Sequence, residues 1–176
     1  MESRRHIALM GFMASGKSTI GKRLAARLKR PFCDTDAEVV RLHGPIARIF
    51  DLEGEQAFRA YERDAVERAL RSSSPSIVAL GGGAPTHAPT RRLLECHAYR
   101  VFLDVEPERI YERVRRSKTL RPMLGPAPTR AVVAALLRER APLYREAELA
   151  IACKGLTQSA ILDAIYEHLH AIGVAS

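Results

Sequence analysis

Tryptophan is absent from the chain, and only five tyrosines and five phenylalanines stand among its 176 residues. No basic stretch is interleaved with rings, so the stacking platforms of a single-strand nucleic-acid binder are missing. The three cysteines, Cys33, Cys96 and Cys153, lie far apart with no CxxC pair. That pattern argues against a disulfide framework or a zinc site and for small apolar fillers in a reduced compartment. No apolar run approaches the roughly 20 residues needed to span a bilayer. After Met1-Glu2-Ser3-Arg4-Arg5-His6, the apolar run from Ile7 to Met10 is too short for a signal-peptide core, and Gly11 ends it. A cytoplasmic protein with no membrane partner is expected. Repeats and low-complexity tracts are also missing.

The remaining composition is that of an ordinary globular protein: 47% hydrophobic and 27% charged residues, enough for one domain spanning 1–176 with a real core. Lysine plus arginine outnumber aspartate plus glutamate by 28 to 20, for a formal charge of +8. The arginines are scattered singly and in pairs, not gathered in a tract. The charge therefore suits small anions, nucleic acid is not an expected partner, and a monomer is the simplest state.

Short apolar runs alternate with amphipathic stretches. Strands are expected at Ile7–Met10, Pro31–Asp34, Ile77–Leu80, Tyr99–Leu103 and Leu149–Ala152. Helices are expected from Lys17 to Pro31, with Ile20, Leu24 and Leu28 on one face, and then over Asp36–Leu42, Gly54–Leu70, Glu106–Arg115, Thr129–Arg140 and Thr157–Ala171. The stretch from Ser117 to Pro128, with Pro122, Gly125, Pro126 and Pro128, reads as a mobile loop. This alternation implies an α/β fold, a parallel sheet covered on both faces, with its ligand at the carboxyl ends of the strands. Three polar or glycine clusters follow strand ends directly: Gly11–Ser18, Asp34–Asp36 and Gly81–Gly83.

Gly11-Phe12-Met13-Ala14-Ser15-Gly16-Lys17-Ser18 satisfies G-x-x-x-x-G-K-[ST] between a strand and a helix. Backbone amides and the positive end of the helix converge there on a polyphosphate. Gly16 lets the backbone approach, Lys17 reaches the β- and γ-phosphates, and Ser18 offers an oxygen to Mg²⁺. Asp34 and Asp36 flank Thr35. One carboxylate is expected to face the metal, with Asp34 the better candidate, and the other a substrate hydroxyl; the alternative is that Asp36 caps a helix. Gly81-Gly82-Gly83 either offers amides to a ligand or makes a tight turn. Arg59, Arg121 and Arg140 are each, taken singly, solvated charges; they matter if the fold gathers them around an anion, where a guanidinium fork matches a carboxylate. The six histidines form no ligand spacing.

Taken in order, GFMASGKST (Gly11–Thr19), DTD (Asp34–Asp36), GEQAFRAYE (Gly54–Glu62), LGGGA (Leu80–Ala84), LRPML (Leu120–Leu124) and RAPLY (Arg140–Tyr144) resemble the shikimate kinases, from about Ile7 to Tyr144. The resemblance implies a three-layer αβα sandwich, a five-stranded parallel sheet in the order 2-3-1-4-5, a substrate-binding region at about 34–62 and a lid at about 115–128. It implies transfer of the γ-phosphoryl of ATP to the 3-hydroxyl of shikimate with Mg²⁺ as cofactor. Ala14, Ser15, Gly16, Lys17, Ser18 and Thr19 would wrap the phosphates of ATP. Asp36, Arg59, Gly82 and Arg140 would hold shikimate, with Asp36 on its hydroxyls and the arginines on its carboxylate. Ser18 and, through water, Asp34 would serve Mg²⁺. Lys17, Asp36 and Arg121 would be catalytic, Arg121 reaching the phosphates from the lid. The segment Gly44–Phe50 is one residue shorter than the family pattern and lacks its acidic member, and Arg115, Arg116 or Lys154 is expected near the adenine. The residues bear on two other readings. A kinase for another polyol acid, such as gluconate, is disfavoured by the Arg59 and Arg140 pair. A non-catalytic sensor would have lost Asp36, Arg59 or Lys17, and all three are present.

Overall fold

The computed structural model describes residues 5–174. Its centre is strand β1 (His6–Met10), every residue of which is buried. A strand covered on both faces reads as a continuous apolar run, and that is why Ile7-Ala8-Leu9-Met10 shows no alternation. β1 pairs in parallel with β3 (Ile77–Ala79) on one side, Ile7 opposite Ile77, and with β4 (Ala98–Asp104) on the other, Ile7 opposite Tyr99. β2 (Phe32–Asp34) and β5 (Leu149–Ala152) complete the order β2-β3-β1-β4-β5. The expected αβα architecture and strand order are thus observed. The chain leaves β1 towards β2 and leaves β3 towards β4, in opposite directions across the sheet. A crevice opens at the carboxyl ends of the strands where the connections diverge.

Helix α1 (Lys17–Leu28) follows β1 and packs against β3 and against α8 (Gln158–Ala171). Thr157 caps α8 through its side-chain oxygen, which accepts from the Ala160 amide at 3.2 Å. Between β2 and β3 stand α2 (Thr35–His43), α3 (Ile46–Leu52) and α4 (Gly54–Leu70). They enclose a small core of their own, Val39, Ile49, Phe58 and Ala65. Burying each of the larger ones is worth about 1.5–3 kcal/mol, which fixes the angle at which α4 faces the crevice. α5 (Ala88–His97) lies on β4, and α6 (Pro107–Arg116) packs against α7 (Arg130–Tyr144). Among the described residues no helix is long and apolar enough to cross a membrane.

Four elements depart from the sequence expectation. α3 and α5 were not foreseen; both are short and begin at prolines, Pro45 and Pro89, which suit a helix start but also read as loop punctuation. α7 runs past Arg140 through Pro142 to Tyr144. A proline costs the helix one amide donor and usually ends it, yet here the next turn still closes, the Arg145 amide donating to Ala141 at 3.0 Å. Within 117–128, Pro122–Leu124 forms a turn of 3₁₀ helix with Leu124 buried.

Candidate active site

The loop from Gly11 to Gly16 ends at the first turn of α1. Lys17 is buried, and its Nζ donates to the carbonyls of Gly11 and Phe12, each at 2.8 Å, and to Ser15 Oγ at 3.4 Å. Burial draws the ammonium down to about 8, against the raising influence of Asp36 and Asp34. It therefore remains mostly charged at neutral pH. Met13, Ala14, Gly16, Ser18 and Thr19 line the same cleft together with Asp34, Asp36, Gly82 and Arg121.

The two aspartates have separate environments. Asp34, the last residue of β2, caps α2: its Oδ1 accepts from the Ala37 amide at 3.1 Å. Its Oδ2 accepts from the Ser18 hydroxyl. The cap is therefore Asp34, and the alternative that Asp36 caps the helix is corrected. Two residues further on, Asp36 is turned inward, and burial raises its carboxyl above the usual carboxylate range although Lys17 pulls the other way. Its Oδ1 is buried with no hydrogen-bond partner among the described residues. Between the aspartates Thr35 Oγ1 accepts from the Gly81 amide at 2.9 Å, tying α2 to the end of β3.

Ser18 Oγ and Asp34 Oδ2 are hard oxygen donors in contact at the foot of the phosphate loop. They fit a small divalent cation such as Mg²⁺, which is held by one or two protein oxygens plus phosphate and water. Among the described residues no group of three His, Cys, Asp or Glu side chains is placed to hold a metal ion.

The three arginines that look solvated in the sequence converge. Arg59, Arg121 and Arg140 line one cleft of about 490 Å³ with Asp36, Glu62 and Gly82. Arg140 is buried on α7 and its guanidinium lies over the Phe12 ring at 5.8 Å. Arg59 on α4 is held by two carboxylates of its own helix, Glu62 at 2.8 Å and Glu55 at 3.1 Å. Arg121 lines both clefts, and burial lowers its pKa. The opposite wall is apolar: Val40, Pro45, Ile46 and Phe50 from the α2–α3 corner. The shortened Gly44–Phe50 segment thus still closes the cleft.

The glycine cluster is explained by close approach. A Cβ on Gly81 would overlap Glu62 Oε1 and lie 2.5 Å from Asp36 Oδ1. Both carboxylates thus lean over a residue with no side chain, and alanine there would displace them.

A family model described as "Shikimate kinase" matches residues 13–170. The chain belongs to the shikimate kinase family. It is similar to the shikimate kinase of Nitrobacter winogradskyi, 41% identical over 167 residues, covering 94% of this chain and 77% of that protein. It is 42% identical over 175 residues to that of Thermobifida fusca, covering 98% and 99%. The solved shikimate kinase from Acinetobacter baumannii in complex with shikimate has a TM-score of 0.90 at 34% identity, covering 97% of this chain and 96% of that one.

Against this shikimate kinase background, none of Arg115, Arg116 and Lys154, the residues expected near the adenine, lines the phosphate-loop cleft. Lys154 is exposed and pairs with Glu106 at 3.0 Å, Arg116 is exposed, and Arg115 lines a separate cleft under the 117–129 loop. Arg113 is the α6 arginine at the phosphate loop, donating to the Ala14 carbonyl at 2.8 Å. A helical face explains the difference: Arg113 lies three residues after the buried Ile110, whereas Arg115 and Arg116 point outward.

Glu62 received no role from the sequence either, although its i+3 spacing from Arg59 was a usable signal. Burial pushes Glu62 up to about 6 despite its ion pair with Arg59. A raised acid pKa means that folding favours the protonated form. The associated stability is present below about 4.5 and is lost as pH rises through about 6. Activity should run the other way. Below about 6 a protonated Glu62 releases the Arg59 guanidinium, so kcat/KM for an acidic acceptor should fall there. Glu62→Gln should lower kcat/KM at neutral pH and remove that step from the pH profile, as steady-state rates across pH would show.

Proposed function

We propose that the chain transfers the γ-phosphoryl group of ATP to the 3-hydroxyl of shikimate, giving shikimate 3-phosphate and ADP. The observation that carries this reading is the convergence of Asp36, Arg59 and Arg140 in one cleft that adjoins the phosphate loop through Gly82. A ring acid needs that set: two guanidinium forks for its carboxylate and a carboxylate for its hydroxyls.

In this reading Ala14 to Thr19 wrap the phosphates of ATP. Lys17 neutralises the migrating group, and Arg121 meets it from the lid at about 115–128. Ser18 and, through water, Asp34 would hold Mg²⁺, which when bound supplies positive charge to the phosphate oxygens. Phosphoryl transfer needs alignment and charge neutralisation more than covalent help. The acceptor oxygen attacks the γ-phosphorus, the bond to the β-phosphate oxygen breaks, and ADP leaves with that electron pair. Asp36 orients the hydroxyl and takes its proton late. Its raised pKa brings it closer to a useful base than an ordinary carboxylate. Closure of the lid excludes water and suppresses ATP hydrolysis. The same reading takes the enzyme to be a cytoplasmic monomer whose partners are its two substrates.

The carboxylate assignment has its own test. Arg140→Ala removes a buried charge-assisted hydrogen bond worth about 1.5–3 kcal/mol. The KM for shikimate should rise roughly 10- to 150-fold while the KM for ATP changes little. For the reading as a whole, ADP release with ATP and Mg²⁺ should depend on shikimate and not on gluconate. Equal rates with both acceptors would overturn it.

A further inference from the structure

The last residue of α7, Tyr144, lies outside the set of substrate-binding residues, yet it touches two of them. Its side chain is fully buried, the ring packed on Phe102 of β4 with centroids 5.3 Å apart. Its hydroxyl donates to the Gly82 carbonyl at 2.5 Å. Arg140 stands four residues earlier on the same helical face, and its guanidinium sits against the same hydroxyl. Burial pushes the phenol up to about 12, so it keeps its proton and stays a donor across neutral pH.

Gly82 is the hinge of the arrangement. It lines both the acceptor cleft and the phosphate cleft. A Cβ placed on it would stand 3.0 Å from the Met13 amide of the phosphate loop, so its backbone rests directly on that loop. The carbonyls on either side are taken locally: Gly81 accepts from the Ala84 amide at 3.1 Å and Gly83 from the Thr86 amide at 2.9 Å. The middle carbonyl is taken by Tyr144, from a helix 62 residues further along the chain. Pro142 does not unwind the helix before Tyr144 is reached.

We propose that Tyr144 is a positioning residue that holds the Gly82 backbone and the Arg140 guanidinium in register, and so sets the acceptor acid against the phosphate loop. The proposal rests on the shikimate kinase reading above and adds to it the group that fixes two of its binding residues relative to each other. The ring supplies the packing and the hydroxyl supplies the register.

Tyr144→Phe separates the two, since it keeps the ring on Phe102 and removes only the donor. Steady-state kinetics with shikimate, ATP and Mg²⁺ should show the shikimate KM raised about tenfold or more, as expected for a buried carbonyl left unpaired. The ATP KM should stay near that of the wild type. Phe102→Leu is the packing control: it should lower the melting temperature and leave the shikimate KM nearly unchanged. Unaltered kinetics in Tyr144→Phe, or both KM values rising alike, would overturn the proposal. So would a Phe102→Leu protein with the same rise in shikimate KM. A wild type inert towards shikimate would overturn the reading and the proposal together, whereas an active wild type matched by Tyr144→Phe would overturn the proposal alone.

Discussion

Asp36→Asn should lower kcat by roughly 10²- to 10⁴-fold, the span over which a positioned proton acceptor contributes, while nucleotide binding persists. Asparagine keeps the size of the side chain and a carbonyl oxygen that still accepts a hydrogen bond. It cannot take the proton of the acceptor hydroxyl. The variant should be no less stable than the wild type, because the native carboxyl is an expensive group to ionise where it sits. Burial holds its pKa up and Oδ1 lacks a partner among the described residues. A melting curve unchanged or shifted upward, together with an almost silent ADP-release assay, is the expected pair of results. Stability given up at one residue for activity is a common mark of an active site. An Asp36→Asn enzyme of full activity would remove Asp36 from the role assigned to it.

Lys17→Ala acts on the donor side and should be nearly as severe. Removing one preorganised charge from a phosphoryl-transfer site costs on the order of 10²- to 10³-fold in kcat. Here the loss is compounded. Nζ also bonds the Gly11 and Phe12 carbonyls at 2.8 Å, so its removal frees the loop that must wrap the phosphates. Nucleotide titration should therefore show weaker ATP binding as well as slower turnover. Asp36→Asn should show only the slower turnover. The contrast separates a residue that grips the donor from one that presents the acceptor.

Different parts of this site were legible in the sequence to different degrees, for physical reasons. The phosphate loop was readable because its chemistry is local: glycines, a lysine and a hydroxyl within eight residues directly after a strand, all serving one anion. The central strands β1 and β3 were readable because burial on both faces leaves uninterrupted apolar runs, and β1 is the plainest case. Arg59 and Arg140 carried no local signal. They lie on α4 and α7, and only the sheet order and the small core under α2 and α3 bring them to one cleft. Without the family resemblance, residue type alone left them as surface charges. Arg113 was missed because the arginines on α6 follow one another closely and only the helical phase decides which one faces the loop. Tyr144 was hidden behind Pro142, which reads as a stop and here is not one.

The most direct measurement is a crystal structure of the chain soaked with ADP, Mg²⁺ and shikimate. The account predicts the carboxylate of the ring acid between the Arg59 and Arg140 guanidinium groups, with a ring hydroxyl against Asp36 and facing the Lys17 end of the phosphate loop. A ring acid bound elsewhere, or bound here with its carboxylate turned away from both arginines, would contradict it.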